Sequence, residues 1–174
     1  MISAAYLACA VGAYLLGSIP TGYLVARAKG VDIRSVGSGN IGATNVFRAV
    51  GRVAGVAVLA IDLLKGLAAC TALVWLVQDH LLPANSGAVR EWLALVAAVF
   101  AILGHNYTCW LRFKGGKGIA TSAGVLIALV PKALLVILIV WILVFALTRY
   151  VSLGSIAASV TLPFAVSVDC AMFG

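Results

Sequence analysis

The sequence predicts an all-α fold: a polytopic transmembrane helical bundle with about six spans and its N-terminus outside. Hydrophobic residues make up 64% of the 174 positions, charged residues only 10%, and the mean hydropathy is +1.16. Soluble domains are nearer roughly 45–50% apolar and 25% charged. Apolar runs of about 20 residues, the length that crosses a bilayer, recur between short polar segments. Nine of the twelve Lys and Arg residues fall in segments that alternating spans put on one side, and the positive-inside rule makes that side cytoplasmic.

The first span is read over residues 2–26, with a kink at Pro20, whose ring and missing N–H interrupt a helix. No Lys or Arg precedes this run, and it is longer than a signal-peptide core, so it reads as a retained span. Residues 27–52 form a basic loop carrying Arg27, Lys29, Arg34, Arg48 and Arg52. The second span covers residues 53–77. A polar segment of mixed charge, residues 78–91, separates it from the third span at residues 92–111. A short basic loop, residues 112–118, follows. Residues 119–148 are too long for one span and divide at Pro131-Lys132. Arg149 and Ser152 mark a turn before a sixth apolar run over residues 153–173. The whole chain is read as one membrane-embedded domain.

Two polar loops on the basic side carry the candidate chemistry. The first contains Val36-Gly-Ser-Gly-Asn-Ile-Gly-Ala-Thr-Asn-Val-Phe-Arg48. Ser38, Asn40, Thr44 and Asn45 supply polar side chains. Gly37, Gly39 and Gly42 let the backbone close around an anion such as phosphate, and Arg48 adds a fixed charge able to bind it in bidentate fashion. The second loop, Phe113-Lys-Gly-Gly-Lys-Gly118, sets Lys117 between glycines, where it can meet a second phosphate; a plain basic anchor on anionic lipid is the competing reading. His105, just before this loop, is either a proton acceptor or phosphate contact, or a hydrogen-bonding partner of a neighbouring helix. Asp62 and Lys65 lie one helical turn apart inside the second span and are read as a mutual ion pair that supports the first loop.

What is missing narrows the chemistry. The first loop lacks the Gly-Lys-Ser/Thr ending of a nucleotide P-loop. Only five acidic residues occur and none clusters near the loops, so no metal site and no cofactor are expected. The four cysteines show no ligand spacing and read as small buried hydrophobes. The net charge of +7 sits beside spans, which marks orientation and anion binding rather than a nucleic-acid partner. The His-x-x-x-x-Asp signature of coenzyme-A-dependent glycerol-phosphate acyltransferases is absent: Trp110 follows His105 at that spacing, and Asn85 follows His80. A transporter or channel for a phosphate-bearing anion is the alternative reading, and a noncatalytic lipid-binding subunit a third.

A set of motifs then points to one family. Gly17-Ser-Ile-Pro-Thr-Gly-Tyr23 comes first, then Asp32-Ile-Arg34 leading into the long glycine-rich run to Arg48. Asp62-x-x-Lys-Gly66, Gly104-His105 and Phe113-Lys-Gly-Gly-Lys-Gly118 follow in order. Together they closely resemble the bacterial acyl-phosphate:glycerol-3-phosphate acyltransferases, the integral-membrane PlsY family. The resemblance implies seven membrane helices in a complete member. It implies acyl transfer from acyl phosphate to the sn-1 hydroxyl of glycerol 3-phosphate, the first step of phospholipid synthesis, in the bacterial cytoplasmic (inner) membrane. It assigns Ser38 and Arg48 as essential residues of the acyl-phosphate loop. It assigns glycerol 3-phosphate to Gly115, Gly116 and Lys117, with Arg48 shared and with Ser155, or else Ser152, contributing from the later turn. Thr108 stands where the family usually has proline. The family's final span and its third motif do not appear before Gly174, so the chain is expected to be a fragment or a truncated member.

Overall fold

A computed structural model describes residues 1–83 and 87–173, and every regular element among them is helical. The order is α1 (Ile2–Ser18), α2 (Thr21–Ala28), α3 (Ala43–Ala49), α4 (Arg52–Ala68), a π-helical turn (Ala69–Leu73), α5 (Val74–Leu81), α6 (Gly87–Asn106), α7 (Ile119–Leu129), α8 (Pro131–Thr148) and α9 (Val151–Phe173). Short 3-10 turns occupy Ile33–Ser35 and Cys109–Leu111. Among the described residues, four helical stretches are long and apolar enough to cross a membrane: Ile2–Ala28, Arg52–Leu81, Val89–Leu111 and Pro131–Thr148. Of the other expected spans, Ile119–Leu129 is a shorter apolar helix, and the sixth falls within α9, Val151–Phe173. At 1.5 Å per residue the first of these covers about 16 Å, half the hydrocarbon thickness.

The breaks fall where the backbone chemistry demands them. Pro20 cannot donate, and Ile19 before it takes an extended ψ of 113°, as a residue preceding proline does. Pro131 opens α8 at a first-turn position, where its missing N–H leaves no bond unmade. The first basic loop folds α3 and a 3-10 turn. The polar segment after the second span is shorter than its composition suggested, because α5 runs to Leu81; residues 84–86 within it lie outside the described residues.

The chain divides into two compact units, residues 1–125 and 126–174. In the first, α1 packs along α6 through small residues. Ala5, Cys9 and Ala13 face Leu93, Ala97 and Ala101, all at most 0% exposed. A Cβ at Gly17 would meet the Ala101 carbonyl oxygen at 2.1 Å, and one at Gly104 would meet that of Tyr14 at 2.2 Å. Helices α4 and α7 approach in the same way, Gly66 against the Thr121 carbonyl and Gly124 against that of Leu63. Such contact suits a membrane interior, where packing rather than water exclusion drives helix association. Leu7, Val53, Leu59, Trp92 and Val99 are exposed on the outer faces, as lipid-facing side chains are.

In the second unit α8 and α9 form a hairpin. Arg149 closes α8 in the left-handed region, with its N–H donating to the Phe145 carbonyl. Trp141 stacks on Phe145 and donates from Nε1 to Ser155 Oγ at 3.4 Å.

Gly104→Ala forces α1 and α6 apart. The expected result is a lower unfolding midpoint in detergent, equivalent to about 1–3 kcal/mol for an overpacked contact. Gly87→Ala, with nothing within 4 Å of the added carbon, is the control and should stay within about 0.5 kcal/mol of the parent.

Candidate active site

The first loop is built on itself. Asp32 caps the Ile33–Ser35 turn by accepting from the Arg34 N–H, and its carboxylate also takes two bonds from the Arg34 guanidinium, at 3.0 and 2.8 Å. Those hydrogen bonds hold the Asp32 carboxyl down at about 2. The same guanidinium lies 4.8 Å from the centre of the Tyr23 ring, a cation–π arrangement. Asn45, buried on α3, then staples the loop closed. Its Oδ1 accepts from the Ser38 N–H, and its Nδ2 reaches the carbonyls of Ile33, Val36 and Asn40. Gly37 must be glycine here, since φ is +59° and a Cβ would stand 2.3 Å from Asn45 Oδ1.

This geometry revises the expected roles. The N–H groups of Ser38, Gly39 and Gly42 are engaged by Asn45 Oδ1, the Val36 carbonyl and Asn40 Oδ1. Asn40 and Asn45 therefore shape the loop, and Gly37, Gly39 and Gly42 permit its turns. What faces outward is the Ser38 side chain, Thr44 and Arg48, all exposed. Thr44 and Arg48 line a cleft of about 370 Å³ together with Phe47, Gly55, Val56 and Leu59. A polar end and an apolar wall thus meet in one depression between α3 and α4.

The second loop is seated on the end of α6. The Gly115 N–H donates to the Asn106 carbonyl and the Gly116 N–H to that of His105, both at 3.0 Å. A Cβ at Gly115 would meet the His105 carbonyl at 2.0 Å, and one at Gly116 would meet His105 Nε2 at 2.1 Å. The glycine pair is accordingly required for close seating, and its N–H groups are already bonded. Lys117, by contrast, is exposed and carries the loop's cation outward.

Beneath this loop lies a buried polar cluster. Asp62, Lys65 and His105 are 2%, 3% and 5% exposed. Lys65 Nζ is 3.0 Å from Asp62 Oδ1 and 3.2 Å from His105 Nδ1, and it donates to the carbonyls of Gly17 and Ile19 at 3.0 and 2.9 Å. An ammonium only donates, so Nδ1 of the imidazole accepts and Nε2 carries the hydrogen. Asp62 and Lys65 pair as their spacing suggested. His105, the candidate proton acceptor, is enclosed between Lys65 and Gly116 and supports the second loop. Thr108, which stood out only as a departure from the family's proline, donates to the Ser18 carbonyl at 2.5 Å. Nothing in a one-dimensional pattern marks that bond, because its partners are 90 residues apart.

The first unit brings the two loops together. Arg34, Ser35 and Gly39 share a groove of about 680 Å³ with Arg112 and Lys114. Ser155 lies in the second unit, bonded to Trp141 as described above. Among the described residues, no three His, Cys, Asp or Glu side chains are grouped as metal ligands would be.

Residues 7–173 match the family model described as glycerol-3-phosphate acyltransferase. A glycerol-3-phosphate acyltransferase of Geotalea daltonii is 50% identical over 159 residues, covering 91% of this chain and 76% of the relative. One of Geobacter sulfurreducens is 49% identical over 155 residues, covering 89% and 74%. Among solved structures, the glycerol 3-phosphate form of PlsY (YgiH), an integral membrane glycerol 3-phosphate acyltransferase, is similar with a TM-score of 0.78 at 40% identity. It covers 94% of this chain and 76% of that one; the lysophosphatidic acid form gives 0.77 at 39% identity. The chain thus spans about three quarters of the length of the relatives it matches.

Lys65→Met strands a buried carboxylate and should cost about 3–5 kcal/mol, read as unfolding in detergent against rising denaturant. The double variant Asp62→Asn with Lys65→Met should regain a large part of that loss; equal damage in both would mean the ion pair is not the organising contact. The Asp32–Arg34 pair makes a separate expectation. A depressed folded-state pKa stabilises above the unfolded value, near 4, and that stabilisation is lost as pH falls through about 2. The carbon shift of the Asp32 carboxyl should therefore titrate near pH 2 in the folded protein.

Proposed function

The chain belongs to the glycerol-3-phosphate acyltransferase family, and on that premise we propose that it takes its acyl group from a fatty acyl phosphate and delivers it to the sn-1 hydroxyl of glycerol 3-phosphate. The products are lysophosphatidic acid and inorganic phosphate, formed without coenzyme A. The observation that carries the reading is the cleft in which Thr44 and Arg48 meet Phe47, Val56 and Leu59. A ligand with an anionic head and an apolar tail fits such a site. The cleft opens among exposed apolar residues of α4 such as Val56 and Leu59, from which a membrane-borne acyl chain can enter.

The chemistry follows from the donor. An acyl phosphate is a mixed anhydride with phosphate as its leaving group. Arg48, with the hydroxyls of Ser38 and Thr44, binds that phosphate and stabilises the charge that develops on it. Lys117 binds the phosphate of glycerol 3-phosphate. Holding two anions together against their repulsion is most of the task, since orientation alone can supply about 7–11 kcal/mol of a barrier. The glycerol oxygen attacks the acyl carbon, the anhydride C–O bond breaks, and the hydroxyl proton leaves with the phosphate. The enclosed His105 favours this direct route over proton transfer to a histidine. Both loops lie on the cytoplasmic face of the bacterial cytoplasmic membrane in this reading, with the N-terminus outside.

Purified protein in detergent, given palmitoyl phosphate and glycerol 3-phosphate, should release inorganic phosphate only when both are present. Release with acyl phosphate alone, or acyl transfer only from acyl-coenzyme A, would overturn the reading. Arg48→Gln should lower kcat/KM by about 100- to 1000-fold, the usual effect of losing one charge-stabilising donor. Lys117→Ala should raise the KM for glycerol 3-phosphate more than that for acyl phosphate, and equal increases would remove the division of labour between the loops.

A further inference from the structure

The groove between the two loops is not used by the acyl-transfer reading. Arg34 and Ser35 line one wall, and Trp110, Arg112 and Lys114 the other. It shares no lining residue with the Arg48 cleft, and neither Ser38 nor Lys117 borders it. Its three cations face a single carboxylate, Asp32, which is already paired with Arg34. The excess positive charge therefore belongs to Arg112 and Lys114.

The level of the groove is set by the spans. One candidate membrane stretch, Val89–Leu111, ends at a residue that lines it, and another, Ile2–Ala28, ends shortly before Asp32 in the chain. Trp110, Phe113 and Tyr107 are 65%, 63% and 56% exposed at the same end of the third span. Exposed aromatic side chains at a span terminus mark the depth of lipid headgroups. The groove is thus a cationic depression at headgroup depth.

Its second wall is also held in an unfavourable conformation. Arg112 and Phe113 are successive non-glycine residues with φ of +54° and +60°, a region that L side chains avoid. Two bonds enforce it, from the Phe113 N–H to the Thr108 carbonyl at 2.9 Å and from the Lys114 N–H to that of Leu111 at 3.1 Å. The turn sets Arg112 and Lys114 along the groove, with Phe113 exposed between them in sequence. On the opposite wall the Arg34 guanidinium is fixed by Asp32 and the Tyr23 ring. The Arg34 charge is therefore fixed before any ligand arrives, as is the backbone that carries Arg112 and Lys114, and strained residues of this kind gather at ligand sites.

We propose that this groove binds the phosphate headgroup of an anionic bilayer phospholipid, seating the two loops on the membrane surface. Free phosphate offers the same chemistry, but the depth of the groove and its aromatic border match a lipid that is already in the bilayer. The proposal rests on the membrane reading of the fold and does not depend on the acyl donor.

The test uses the full chain in detergent with phosphatidylglycerol, phosphatidylcholine or inorganic phosphate, and counts retained lipid by native mass spectrometry. A basic residue near an anionic surface contributes about a fivefold preference. The parent should retain phosphatidylglycerol at least about fivefold better than phosphatidylcholine, and Arg112→Gln with Lys114→Gln should abolish the difference. Arg112→Lys should keep most of it. If the double variant does not fold, Lys114→Gln alone is read, with an expected loss of about fivefold in preference. Equal retention of the two lipids by the parent, or unchanged preference in the neutralised variants, overturns the proposal. Displacement of the lipid by inorganic phosphate also overturns it, by giving the groove to a soluble anion. No turnover is measured, so the outcome is independent of the acyl-transfer assay.

Discussion

The Lys65 ammonium is the contact on which the rest of the first unit depends. Its hydrogens meet the carbonyls of Gly17 and Ile19 and His105 Nδ1, and the Asp62 carboxylate lies 3.0 Å away as its counter-charge. The need for it arises at Pro20, which ends α1 and leaves the last carbonyls without helical donors. Ser18 finds the Thr108 hydroxyl, and Gly17 and Ile19 find Lys65. In an apolar interior such carbonyls have no water to turn to, so each must find a donor within the protein. The buried cation is tolerable because Asp62 balances it one turn away on the same helix.

From that knot the two polar loops are positioned in different ways. The break at Pro20 starts α2, whose Gly22 lies so close to the Ile41 carbonyl that a Cβ would stand 1.8 Å away. This pins the middle of the first loop. The second loop rests on the His105 ring and carbonyl through Gly116 and Gly115, and Lys65 holds that ring from beneath. One buried charge therefore reaches both loops, through the backbone break in one case and through the imidazole in the other. Asp62, Lys65 and His105 are buried beneath the loops, while Ser38, Thr44, Arg48 and Lys117 are exposed.

The loops also show how polar backbone survives at the end of apolar spans. Each folds inward on its own amides first. Asn45 replaces the missing secondary structure in the first loop, and the carbonyls of His105 and Asn106 do so in the second. The side chains left over separate into two depressions of different character. One joins Arg48 to an apolar wall, and the other gathers Arg112, Lys114 and Trp110 at the level where spans end. The acyl-transfer reading uses the first, and the lipid-headgroup proposal the second.

Much of this was legible from residue order. The apolar runs, the breaks at Pro20 and Pro131, the spacing of Asp62 and Lys65, and the motifs that define the family are local properties, set by hydropathy, proline geometry and helical repeat. Local signals do not encode everything. They offered Asn40, Asn45, Gly115 and Gly116 as ligand groups, and the structure adds bonds from each that close the loops; they left His105 open between chemistry and support. A polar residue in a glycine-rich loop has the same sequence signature whether it faces a substrate or its own backbone. Only the packing of α1 on α6 and α4, which brings Gly17, Lys65 and His105 to one point, separates the two. The sequence by itself determined a helical membrane protein of this family and the two loops that bear its polar groups. The tertiary structure decided which of those groups are used up inside the fold and which remain exposed, because that depends on bonds between residues far apart in the chain, such as Ser18 and Thr108, 90 positions apart.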